Sequence, residues 1–133
     1  MPVASPGDTG TASIEVTERT IDEYADLVGD HNPLHLDDEY AAETFFDGRV
    51  AHGMLSAGVV SAALASLPGD VVYLEQDLHF EAPVRPGSTV EATVTVATVG
   101  EEDRLTVETT ASADGETVLT GTATVLSLEH REA

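Results

Sequence analysis

The chain has 133 residues, 41% of them hydrophobic, which suffices for one domain around one core and is too short for two. Its 25 Asp and Glu residues face five Arg and no Lys, for a formal net charge of -20. Such a surface repels phosphate backbones and anionic lipid, so nucleic-acid and membrane binding, which draw affinity from clustered basic residues, are poor readings.

A polyacidic surface suits a cytoplasm with molar salt, where the Debye length falls to roughly 3 Å and self-repulsion is screened. The expectation is a cytoplasmic protein of halophilic archaeal source. The absence of Cys excludes disulfides, thiolate metal sites and cysteine nucleophiles. Met1–Ser13 has neither a basic stretch nor an apolar run, so it does not read as a signal peptide. Residues 1–11 read as a flexible tail of small residues, Pro and Gly, and residues 12–133 as the folded domain.

A short strand is expected at Ala12–Val16. Thr17 can cap a helix in which Ile21, Tyr24, Leu27 and Val28 recur at helical spacing and Gly29 is placed to end it. Next comes GDHNPLH, Gly29–His35, a turn-forming stretch in which Pro33 pushes Asn32 out of the α region. Asp37 can cap a further short helix reaching Thr44. Gly53–Leu67 is apolar on nearly all sides and stopped by Pro68-Gly69. It reads as a buried helix, short of the roughly 20 residues that span a bilayer.

From Val71 onward the pattern changes to period two, with β-rich runs at about 71–82, 88–99, 104–113 and 116–129. Pro-Gly, Gly-Glu-Glu-Asp and Asp-Gly turn signals separate them, so an antiparallel meander is expected, long enough to curl strongly. The fold class is α+β, a long curled antiparallel sheet wrapped around one apolar helix.

The chemistry-bearing residues cluster around the start of that helix. Asp30 and His35, five residues apart across an Asn-Pro turn, can converge where the chain reverses, and a carboxylate and an imidazole aimed at one point can hold and deprotonate a water. Singly, each also reads as an ordinary residue: a turn carboxylate, a half-buried histidine. AHGM, Ala51–Met54, opens the helix. There the unpaired N–H groups, the positive dipole end and a glycine that permits close approach make a potential oxyanion site.

The run Y-x2-L-x-G-D-H-N-P-L-H-x5-A, Tyr24–Ala41, closely resembles the hydratase motif of MaoC-like (R)-specific enoyl-CoA hydratases, and FFDGRVAHGML, Phe45–Leu55, looks like that family's second signature. The resemblance implies a hot-dog fold and the reversible addition of water to trans-2-enoyl-CoA, giving (R)-3-hydroxyacyl-CoA. It implies Asp30 and His35 as the catalytic pair and the Gly53 amide as holder of the thioester oxygen. Coenzyme A enters as part of the substrate and no separate cofactor is implied. Family members of this kind are homodimers with acyl-CoA near the subunit interface, serving polyhydroxyalkanoate supply or fatty-acid metabolism.

Other positions carry less. Asn32 is expected to cap the turn, Ser61 falls where some family members place a serine near the site, and His52 is expected to support the pair. His31 and His35 have i, i+4 spacing, but Pro33 intervenes and no third ligand is apparent, so no metal is expected. Arg49 and Arg85 are candidates for contacting the coenzyme A phosphates, with intramolecular salt bridges as the alternative. The competing functions are a hot-dog thioesterase, a 3-hydroxyacyl-carrier-protein dehydratase and a non-catalytic acyl-CoA-binding module.

Overall fold

The computed structural model describes residues 1–132, so Ala133, the last residue of the expected domain, lies outside the described residues. The elements run β1 (Thr9–Val16), α1 (Glu18–Val28), α2 (Pro33–Leu36), α3 (Asp38–Ala42), α4 (Gly53–Ala65), β2 (Asp70–Gln76), β3 (His79–Phe80), β4 (Ser88–Val99), β5 (Leu105–Ala113) and β6 (Glu116–Leu128). Local chemistry sets the helix ends. Thr17 and Thr20 form a reciprocal capping box at the start of α1, and Gly29 closes it in the left-handed region. Asp37 accepts the Tyr40 N–H and caps α3, as its position in the sequence suggested. α2 is one helical turn within what reads as a turn alone. Asn32 accepts the Leu34 N–H, and Pro33 sits at the first helical position where its missing N–H costs nothing.

The sheet has the order β1-β4-β5-β6-β2, all antiparallel, with β3 paired to β6. β4, β5 and β6 form the expected meander, and Asp114-Gly115, both at positive φ, turn β5 into β6. The first β-rich run departs from expectation in two ways. It lies at the far edge against β6, not beside β4, because α4 must be covered from that side too. It is also broken in two. The Asp77 carbonyl passes 2.1 Å from where a Gly121 Cβ would stand, and Thr122 N–H bonds the Asp77 side chain at 3.0 Å, a close approach that bends the strand.

The expected flexible tail is corrected. β1 begins at Thr9, and the residues before it are tied down: Val3 N–H to Ser127 O, Ala4 N–H to Ser127 Oγ, Gly7 N–H to Val96 O, with Ala4 fully buried. Small residues let this segment lie flat against the ends of β4 and β6.

α4 packs into the concave face of β1, β4, β5 and β2. Its Leu55, Val59, Val60, Ala63 and Leu64 meet Val90, Val94, Val96, Leu105, Val107 and Val125 from the strands, and each large side chain fully buried there contributes roughly 1.5–3 kcal/mol. Burial all round is not observed. Met54, Gly58, Ser61, Ala62 and Ala65 form an exposed stripe, and on α1 Leu27 and Val28 also face solvent. Beside these lies β2, whose outer edge has no strand partner among the described residues and whose Val72, Tyr73 and Leu74 are each about two-fifths exposed.

Candidate active site

Three segments meet at the N-terminus of α4. α1 stops at Gly29, whose φ of 84° turns the chain out of the helix and delivers Asp30. The Asp30 carboxylate accepts the Asn32 N–H at 3.2 Å, and Asn32 Oδ1 accepts the Leu34 N–H at 3.0 Å. Two successive side-chain-to-backbone bonds thus fix the turn and set the direction of α2. Asn32 acts as that cap. α2 then carries His35 to the wall of the cavity.

The ring of His35 is held at one edge, where Nδ1–H donates to the Val50 carbonyl at 2.8 Å. In the neutral ring this leaves Nε2 as the acceptor available to a ligand. His52, the residue preceding the first turn of α4, donates Nε2–H to the backbone carbonyl of Asp30 at 2.9 Å. Its ring stacks on His35 with centroids 3.9 Å apart and meets Tyr24 at 4.9 Å. Polar atoms of Asp30, His35 and His52 lie within 4.8 Å of one another. His52 Nδ1 is buried and has no hydrogen-bond partner among the described residues. The ring is retained for its other edge and its face, which hold Asp30 and back His35.

These three are also the groups close enough to share a cation among the described residues. His35 Nδ1 and His52 Nε2 are already committed to carbonyls. His31, whose spacing from His35 resembled a metal pair, bonds Asp26 at 3.0 Å instead.

Beside the pair opens a cavity of about 630 Å³, lined by His35, His52, Gly53 and Ser56 among a mostly apolar wall of Leu34, Phe46, Met54, Phe80, Val84 and Val118. That size is in the range of small-molecule sites. α4 has no acidic residue in its first turn and its N-cap, His52, makes no side-chain cap; the Leu55 N–H bonds the His52 carbonyl, which leaves the Gly53 and Met54 N–H groups and the helix dipole facing the cavity end. The ring of Phe80 lies against Gly53, with Cε1 2.7 Å from where a Cβ would stand.

Asp30, His35, His52, Gly53 and Asn32 are therefore brought together. Ser61 is not: it lies on the exposed stripe of α4, while Ser56, one turn into the helix and buried, faces the cavity. Of the two readings of Arg49, the structure shows the intramolecular salt bridges: its side chain is 6% exposed, inside a cage of Glu18, Asp22 and the His35 carbonyl. Arg85 is exposed and bonds the Phe46 and Gly48 carbonyls. Phe45, Phe46, Ser56, Phe80, Val84 and Val118 were not singled out in the sequence as cavity residues. For Phe45 and Phe46 a signal existed, two aromatics in a row inside the second motif.

Fold and site define a hot-dog domain with a carboxylate and two imidazoles gathered at a helix N-terminus. The MaoC like domain family matches residues 4–117, and the chain belongs to that family. It is 45% identical over 123 residues to an (R)-specific enoyl-CoA hydratase of Rhodospirillum rubrum, covering 90% of this chain and 85% of that protein. It is 42% identical over 122 residues to a 3-hydroxybutyryl-CoA dehydratase of Methylorubrum extorquens, covering 90% of this chain and 78% of the relative. Among solved structures, the unliganded R-hydratase PhaJ1 of Pseudomonas aeruginosa superposes with a TM-score of 0.86 at 33% identity, covering 97% of this chain and 88% of the other.

Proposed function

We propose that this chain catalyses the reversible hydration of trans-2-enoyl-CoA to (R)-3-hydroxyacyl-CoA. One observation carries the reading: the polar atoms of Asp30, His35 and His52 converge within 4.8 Å beside the uncapped N-terminus of α4 and a largely apolar cavity. The names of the two enzyme relatives, a hydratase and a dehydratase, describe the same reaction in its two directions and support it.

The chemistry needs three things. A water must be activated for attack at C3, the thioester oxygen must be stabilised as it takes up enolate charge, and C2 must receive a proton. The Asp30 carboxylate and His35 Nε2 are both acceptors and hold the water between them. As its oxygen bonds to C3, the pair takes one proton, and the C2–C3 π electrons move to form the enolate. The Gly53 N–H and the dipole of α4 face the enolate oxygen. The proton held by the pair then returns to C2, so water is added with no net proton change. The apolar wall takes the acyl chain. Arg85, exposed beside the Phe46 wall, is the cation we assign to the coenzyme A phosphates.

The exposed stripe of α4 and the unpaired edge of β2 are the surface we assign to a homodimer. Burial pushes the Tyr73 phenol on that edge above its ordinary value, which keeps it uncharged. No helix is long and apolar enough to cross a membrane among the described residues. A cytoplasm rich in salt is the setting we infer from the charge of -20. The activity is tested in molar KCl by following the enoyl absorbance of crotonyl-CoA with a thiol reagent present. Loss of the double bond without thiol release supports the hydratase, whereas thiol release turns the reading to a thioesterase.

A further inference from the structure

Arg49 is one of five basic residues in a chain with 25 acidic ones, and it is almost completely enclosed. All three nitrogens of its guanidinium are engaged. Nε–H donates to the His35 carbonyl at 2.6 Å, NH2 to Asp22 Oδ1 at 2.9 Å, and NH1 lies 3.4 Å from Glu18 Oε2. Glu18 and Asp22 stand one turn apart on α1, so a single planar fork joins the first half of α1 to the backbone of α2. A lysine could not make these three contacts at once, because an ammonium is a point charge without the fork.

What the fork grips matters for the chemistry. α2 is four residues long, too short to be stable by itself, and its last carbonyls have no partner within the helix. The His35 carbonyl is one of them, and Arg49 satisfies it. The next residue, Val50, accepts the His35 Nδ1–H at 2.8 Å. Adjacent residues thus hold both ends of His35, one by its backbone and one by its ring. The same segment is anchored further along by Ala51 N–H to Val84 O at 2.8 Å, and by His52 to the Asp30 carbonyl.

We infer that Arg49 is a positioning residue for His35: through its carbonyl it fixes α2 and, with Val50, keeps the ring in the Nδ1–H tautomer with Nε2 turned to the reacting water. Resting on the hydratase reading, this deepens it by giving the buried arginine a task in the reaction. Substrate binding is untouched, since Arg49 lies away from the cavity wall. A misplacement of about 1 Å at a catalytic group can cost on the order of 10²-fold in rate. Loss of the fork therefore lowers kcat and leaves KM nearly constant.

The test compares the full-length chain with Arg49→Met and Arg49→Lys in molar KCl. Crotonyl-CoA kinetics are measured together with circular-dichroism melts and ¹⁵N spectra of the histidine rings in their neutral form. The expected result is a fall in kcat of roughly 10- to 100-fold in both variants at nearly unchanged KM, with the His35 signal moving from a pure Nδ1–H tautomer to a mixture. Glu18→Gln/Asp22→Asn, which frees the α1 end and keeps the Arg49–His35 bond, gives a smaller fall of the same kind. Unchanged kcat with only a lower melting temperature overturns the proposal, and so does a raised KM at constant kcat, which would make Arg49 a phosphate contact. If Arg49→Met does not fold, the Lys variant and the double variant carry the same readouts. The tautomer readout needs no turnover. A wild type without hydratase activity but with a His35 tautomer that depends on Arg49 would therefore sink the enzymatic reading and leave the positioning claim standing.

Discussion

Replacing Gly53 by Ala adds one methyl at the first residue of α4, and the surroundings define where it goes. A Cβ there lies 2.7 Å from Phe80 Cε1 and 3.0 Å from Cδ1, too close to keep, but what it meets is the far end of a side chain about half exposed. The ring can swing toward solvent. Gly53 is not among the positive-φ glycines, so Ala is unstrained there, and Ala is favoured over Gly in helices by up to about 1 kcal/mol. The melting temperature should thus move by no more than a few degrees. Catalysis should suffer far more, because the methyl and the displaced ring crowd the approach to the Gly53 N–H, where an oxyanion must come within roughly 2.7–3.1 Å. Loss of one such donor costs on the order of 10²- to 10³-fold in kcat, and Gly53→Ala should lose a large part of that while remaining folded. Initial rates of enoyl-absorbance loss and melts on the same sample measure both. Clearing the ring with Phe80→Leu in the Ala background should restore part of the rate. An Ala variant with full kcat would refute Gly53 as the oxyanion donor.

Further outcomes follow from charge and packing. With a net charge of -20, both the folded fraction and the activity should fall as KCl is reduced from molar to about 0.01 M, where the Debye length grows to roughly 30 Å. Full stability in dilute buffer contradicts that expectation. Gly121→Ala should lower stability by roughly 1–3 kcal/mol, since its Cβ would meet the Asp77 carbonyl at 2.1 Å and Asp77 is bonded to Thr122 through both its backbone N–H and its side chain. Urea denaturation measures this. Arg85→Ala should raise KM for the coenzyme A thioester and leave the KM for a pantetheine thioester unchanged; equal effects on the two substrates speak against a phosphate contact.

Much of the site was legible because it is local. Asp30 and Asn32 belong to one turn whose side chains bond its own backbone and His35 follows directly after it, and Thr17, Gly29 and Asp37 mark helix ends by chemistry that acts within four residues. What depended on distant pairing was not legible. The run after α4 reads as the first strand of a meander, yet it crosses the sheet to β6, because where a strand pairs is set by what remains uncovered. Phe80 was not singled out in the sequence, because its place against Gly53 is set by tertiary packing between residues far apart in the chain. For Arg49 the sequence left a phosphate contact and an intramolecular salt bridge both open, because its partners on α1 are about thirty residues upstream in sequence. The apolar character of α4 suggested burial on every side, whereas a single chain covers only part of it.

The most direct test of the central claim is the stereochemistry and residue dependence of water addition. Wild-type protein and Asp30→Asn are incubated with crotonyl-CoA in molar KCl, and the product is offered separately to (R)- and (S)-specific 3-hydroxyacyl-CoA dehydrogenases. The account predicts product accepted by the (R)-specific enzyme alone, and a rate lower on the order of 10²- to 10⁴-fold in the folded Asn variant. An (S)-product, or an Asn variant as fast as wild type, would contradict it.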